Sequence, residues 1–179
     1  MTYSKSLISV LFLTLLVMFS AGCSKEETVS AVQNKQEAQE NRLVSAGAGQ
    51  LEVYKSPTCG CCSDWVDHMS ASGFSMNSHD LDDLVPVKQS HGISREIQSC
   101  HTAVSKEGFV FEGHVPAKFV KRFLSEKPES ARGLAVPAMP VGTPGMEMGD
   151  KFMPYQVLLL KTDGSREVYA TVTEAQQQY

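Results

Sequence analysis

Tyr54-Lys55-Ser56-Pro57-Thr58-Cys59-Gly60-Cys61-Cys62-Ser63-Asp64-Trp65 places three cysteines within four positions at the point where an apolar run ends. Leu51, Val53 and Tyr54 give the run strand character, Ser56 and Pro57 stop it, and Trp65, Val66 and Met69 recur at helical spacing. The cysteines therefore fall at the start of a helix. There, unpaired amide donors and the positive end of the helix dipole stabilise an anion, so thiols of the first turn ionise more readily than free cysteine. A thiolate is both a nucleophile and a metal ligand, and this geometry serves disulfide exchange and soft-metal binding alike.

Downstream, Gly73 is a helix stop, and Phe74 to His79 reads as a second strand. Asp80, Asp82 and Asp83 offer caps for a short helix through Val87 to Ser90, with Pro86 fitting its first turn. Gly92 to Ser99 connects to a β-prone run, Cys100 to Val104. Lys106-Glu107-Gly108 turns it back into Phe109-Val110-Phe111. Pro116 suits a helix start, and Phe119, Val120, Phe123 and Leu124 form an inward stripe with Lys118, Lys121 and Arg122 outside. This β-α-β-α-β-β-α order, with the cysteines at the first strand-helix junction, resembles the thioredoxin fold. Cys59 and Cys62 match its C-x-x-C pair, and Cys61 is an additional thiol. Thioredoxins carry a cis-proline before the third strand, whereas Gln98-Ser99-Cys100-His101 has none, so Cys100 is expected to bring a fourth sulfur to the other three.

From Glu126 to Pro154, five prolines and four glycines exclude long regular elements, yet Met139, Met146, Met148 and Met153 fall inside. Tyr155 to Leu160 and Glu167 to Val172, joined through Asp163-Gly164, predict a hairpin added to the sheet. The expected α/β domain, thioredoxin-like with a Met/Pro/Gly-rich loop and a C-terminal β-hairpin, spans 50–172, with a tail at 173–179.

Residues 1–23 read as a secretory signal: Lys5 precedes a mostly apolar run, Leu7 to Phe19, that is short for a membrane span. Ser20-Ala21-Gly22-Cys23 resembles the lipobox of bacterial lipoproteins, with Ser20 where leucine is usual. It makes Cys23 the expected lipidation site and the membrane a partner through a lipid anchor; cleavage to a free secreted form is the alternative. Residues 24–49 are polar, without aromatics, and read as a solvated, disordered linker. Loss of 1–23 moves the net charge from -4 to -5, a sign that disfavours nucleic acid.

Three roles compete for the cysteines. A structural disulfide framework staples little chain when three cysteines lie in four residues, and adjacent Cys61 and Cys62 bridge only in a strained ring. A redox role makes Cys59 the nucleophile and Cys62 the resolving thiol of a thiol-disulfide oxidoreductase. A metal role asks which ion wants thiolates with thioethers, and soft Cu(I) is that ion. Zinc sites usually pair two separated C-x-x-C units, and the second is missing here. Methionine adds donors that cannot form disulfides, which suits an oxidising compartment, although in such a loop it also fills packing gaps. Cys59, Cys61, Cys62 and Cys100 are thus candidate thiolate ligands, with Met146 and Met148 secondary and Met139, His101 and His114 as neighbours. His101 follows Cys100 directly and in a strand points to the opposite face unless the chain bends. His68, His79 and His91 read as surface or capping residues.

Val53 to Cys62, Cys100-His101-Thr102-Ala103, Glu112-Gly113-His114-Val115-Pro116, Gly133 to Pro140 and Gly142-Thr143-Pro144-Gly145-Met146-Glu147 together resemble the CopG family of bacterial copper-resistance proteins. The resemblance covers about 51 to 172. It implies a thioredoxin-like domain in the periplasm or on its membranes, copper bound through the cysteine cluster, and a part in copper tolerance that can include a change of copper oxidation state. Copper ions, more than one per chain if thiolates are shared, and periplasmic copper carriers or exporters are the expected partners.

Overall fold

The computed structural model describes residues 48–179. The expected signal, lipobox-like Cys23 and nearly all of the linker lie outside them. Seven strands form one sheet, in the order β2-β1-β3-β4-β5-β6-β7. β1 (Gly49–Lys55) runs parallel to β2 (Phe74–Asp80) and antiparallel to β3 (Thr102–Ser105), and β3 pairs antiparallel with β4 (Val110–Glu112). β5 (Ala131–Ala135) lies parallel to β4, and β6 (Tyr155–Lys161) and β7 (Arg166–Val172) extend the sheet as the expected hairpin.

The helices are α1 (Gly60–Ala71), α2 (Val85–Ser90) and α3 (Ala117–Glu126), with 3-10 turns at Arg95–Ile97 and Ala175–Gln178. Their boundaries follow local chemistry. Gly73 closes α1 at φ 91°, its N–H bonding Ser70 O at 2.9 Å. Asp83 Oδ1 accepts the Val85 N–H at 2.9 Å, and Pro86 occupies the first turn of α2, where no amide donor is needed.

Strand alternation divides the core. Phe111, Leu134 and Leu159 face one side with Trp65 and Met69 of α1 and Phe119, Val120 and Phe123 of α3. Their neighbours Val110, Ala135 and Leu160 face the other, with Ile93 and Ile97. Trp65 is fully buried and donates its Nε1–H to Val115 O at 2.9 Å, tying α1 to the segment entering α3. Truncating such a residue to alanine costs about 3–5 kcal/mol.

Three expectations are corrected. The Pro/Gly-rich stretch contains a central strand, β5. It approaches β4 so closely that a Cβ on Gly133 would lie 1.8 Å from Val110 O, so glycine permits the pairing. β3 begins at Thr102, leaving Cys100 and His101 in the turn before it. The final residues close as a 3-10 turn whose Gln178 is buried, accepting from Tyr155 Oη at 2.7 Å and donating to Gly142 O at 2.7 Å.

Candidate metal centre

Cys59 is the N-cap of α1, and Cys61 and Cys62 lie in its first turn. Ser56 O accepts the Cys59 N–H at 3.1 Å, folding the strand end back into the helix start. Cys59 and Cys62 are joined by a disulfide, while Cys61 and Cys100 are free thiols. The four sulfur atoms all lie within 4.8 Å of one another, and Cys59 Sγ and Cys61 Sγ are 3.5 Å apart. Cys100 therefore delivers the fourth sulfur.

Two histidines join the cluster through Cys100. Cys100 Sγ lies 3.0 Å from His114 Nε2 and 3.3 Å from His101 Nδ1. His114 Nδ1 is 2.7 Å from Pro144 O, and a carbonyl only accepts, so Nδ1 carries the hydrogen. The Nε2 lone pair is thereby aimed at the Cys100 sulfur. A backbone carbonyl fixing one ring nitrogen so that the other can ligate is a recurrent arrangement at metal sites. His101 does not point away, because the chain bends at Cys100 before strand alternation begins. Its ring is fully buried against Trp65, with centroids 4.3 Å apart, and its Nε2 has no hydrogen-bond partner among the described residues.

The electrostatics favour neutral donors in the metal-free protein. Burial holds His114 below the ordinary imidazole range, opposed by the Pro144 carbonyl and the Glu147 carboxylate. Burial also depresses His101, helped by His114 and the Lys88 ammonium. Neutral imidazole is the form that ligates. Burial pushes the Cys100 thiol up to about 12, and Cys61 adds to the rise. A metal binding Cys100 must therefore displace a proton.

The methionine-bearing loop walls this centre. A Cβ on Gly145, at φ 83°, would stand 2.6 Å from Cys61 O and 2.7 Å from Trp65 N, so the loop presses directly on the first turn of α1. Met146 is half-buried in the turn closed by its N–H to Thr143 O at 2.7 Å. Met139 and Met148 are largely exposed. Thus the four cysteines and two histidines converge, and the methionines sit on the adjoining loop. His68, read as a surface or capping residue, accepts the Ala117 N–H at the start of α3 at 3.1 Å.

Sequence reasoning missed Lys88 and Glu112, which form an ion pair with Nζ–Oε1 2.5 Å beneath the Cys100 turn. Burial pushes the Glu112 carboxyl up, opposed first by the Lys88 ammonium. The available signal was a glutamate ending the otherwise apolar Val110-Phe111-Glu112. Chemically, thiols and imidazoles suit a soft or borderline transition metal and not calcium or magnesium, which take oxygen donors.

The family described as protein of unknown function, DUF411, matches residues 97–146, which hold Cys100, His101, Glu112, His114 and the Pro144 loop. No curated protein matches the chain. Among solved structures, copper resistance protein CopG in two forms, Form 1 and Form 2, is in each case 40% identical to this chain. Each aligns over 69% of it and 97% of their own length, with a TM-score of 0.65. A cysteine cluster able to hold metal, on a fold shared at this identity, supports a copper-related role. The chain belongs to the CopG-like copper-resistance family.

Proposed function

We propose that this protein binds copper in the bacterial periplasm and sequesters or redox-buffers it as Cu(I)/Cu(II). The observation that carries the reading is the convergence of four sulfurs within 4.8 Å, with His114 Nε2 aimed at Cys100 from a ring locked by Pro144 O. Cys61 and Cys100 are ligands in either redox state of the centre, with His114 and His101 beside them. Cys59 and Cys62 join once their disulfide is reduced. Shared thiolates then hold more than one Cu(I), and Met146, Met148 and Met139 supply thioethers for ions entering or leaving. Oxidation of the two thiols by two Cu(II) gives the disulfide, two Cu(I) and two protons, which links thiol and copper redox states.

A thioredoxin-like origin is supported by the order β2-β1-β3-β4, with β1 parallel to β2 and antiparallel to β3, and by a C-x-x-C disulfide at the start of α1. Cys100 then takes the place of the cis-proline. Residues 1–23 act as a signal, Cys23 carries a lipid anchor, and copper carriers or exporters exchange ions with the centre. No helix among the described residues is long and apolar enough to cross a membrane.

The competing reading is a thiol-disulfide oxidoreductase, favoured by the disulfide itself. Anaerobic titration of the reduced protein with Cu(I) separates the two. More than one copper per chain, lost in Cys61→Ser and Cys100→Ser, supports copper binding. Unchanged loading in both variants, together with insulin-reductase activity, supports the oxidoreductase.

A further inference from the structure

The turn that brings Cys100 and His101 to the centre is anchored by a residue outside the donor set. Lys88 and Glu112 are 4% and 0% exposed. A buried ion pair is often no more stabilising than apolar residues of the same volume, so stability alone does not account for it. Its hydrogen bonds do. Glu112 Oε1 accepts the Ser99 N–H at 2.7 Å, and Oε2 accepts the Thr102 hydroxyl at 2.6 Å. Lys88 Nζ donates to Thr102 Oγ1 at 3.1 Å and to Glu112 Oε1.

Ser99 and Thr102 bracket Cys100 and His101, and Glu112 stands opposite Thr102 in the β3–β4 register, two residues before His114. The same carboxylate thus grips both ends of the Cys100-His101 turn from the end of β4, two residues before the third donor. The fit is close: a Cβ on Gly113, at φ 74°, would fall 2.5 Å from Ser99 Cβ and 2.6 Å from Val136 O.

We propose that Glu112, with Lys88 as its buried counter-charge, is a positioning residue that fixes the 99–102 turn so that Cys100, His101 and His114 converge on one metal. This rests on the copper-binding reading and extends it to residues that touch no metal.

The test compares two double variants in the full chain. Lys88→Met/Glu112→Leu removes both charges and the turn's acceptors. Lys88→Met/Glu112→Gln removes the same charges but keeps a side-chain carbonyl for the turn. Two quantities are measured: Cu(I) affinity by competition with a chromophoric chelator, and the rate of Cys100 alkylation in the metal-free, reduced protein, followed by peptide mass spectrometry. Loss of an outer partner of a ligand typically costs about 10–100-fold in metal affinity, and that loss is expected for the Leu variant, with the Gln variant within about threefold of wild type. Cys100 should alkylate several-fold faster in the Leu variant alone.

If the Leu variant does not fold, Thr102→Val removes one grip with a near-isosteric side chain and should shift both readouts in the same direction by less. The proposal is overturned if the folded Leu variant, or Thr102→Val in its place, keeps wild-type affinity and alkylation rate, or if the Leu and Gln variants are impaired equally. Should wild type bind no Cu(I), the copper reading fails, and the alkylation rates alone decide the positioning role.

Discussion

Replacing Gly145 by alanine should lift the methionine-bearing loop off the first turn of α1. Gly145 sits at φ 83°, and its added Cβ would stand 2.6 Å from Cys61 O and 2.7 Å from Trp65 N, both backbone atoms that cannot swing aside. The left-handed conformation costs an L-residue about 1–2 kcal/mol. Overpacking adds about 1–3 kcal/mol, for a total of about 2–5 kcal/mol. Against a domain stability of about 5–15 kcal/mol, the variant should fold but with a lower denaturation midpoint. The substitution reaches the site as well as the fold. Pro144 O, on the preceding residue, orients His114 through Nδ1, and losing that bond should weaken Cu(I) binding by about 10–100-fold. Gly164 is the control, because it has φ 84° and open space around its Cβ position. Gly164→Ala should cost only the conformational term, about 1–2 kcal/mol, and leave copper affinity unchanged. Urea denaturation and chelator competition measure both quantities. Equal behaviour of the two variants would refute the claim that the loop presses on the centre.

Three further outcomes follow from the same geometry. His101 and His114 are held below the ordinary histidine value of 6.5 by burial, so the unfolded chain takes up protons that the native protein refuses. Stability of the metal-free protein should therefore fall as pH drops below about 6.5 toward the lowered native values, and a His101→Asn/His114→Asn variant should show a shallower decline in Tm between pH 7.5 and 5. The Cys100 thiol, pushed up to about 12, is protonated throughout the neutral range. Its displacement should make Cu(I) affinity rise about tenfold per pH unit for that proton alone, a dependence that Cys100→Ser should reduce by one proton in the same chelator competition. Gly133→Ala, whose Cβ would meet Val110 O at 1.8 Å, should separate β5 from β4 and cost at least about 3 kcal/mol in denaturant unfolding, since neither backbone can yield without breaking the ladder.

What could be read from the chain was local. Cys59 at the helix start, Gly73 after α1, Asp83 and Pro86 at α2, and the Lys106-Glu107-Gly108 turn each declare themselves through chemistry within a few residues. The convergence of Cys100 with Cys59, Cys61 and Cys62 was legible through the order of elements. The side on which His101 lies was not, because it depends on a bend held by Glu112, a residue 11 positions away in sequence. Nothing local to Lys88 signals its burial, and only its contact with Glu112, 24 residues on, explains it. β5 was hidden because its pairing depends on the missing side chain of Gly133, and an absent atom leaves no periodic signal. The tautomer of His114 likewise depends on Pro144, 30 residues away.

X-ray absorption at the copper edge of the reduced, copper-loaded full chain tests the central claim most directly. Sulfur-dominated coordination at thiolate distances, about 2.3 Å by analogy with other soft-metal thiolates, with a nitrogen contribution that falls in His114→Asn, is the expected result. A first shell of oxygen and nitrogen alone, or failure of the reduced protein to retain copper, would contradict it.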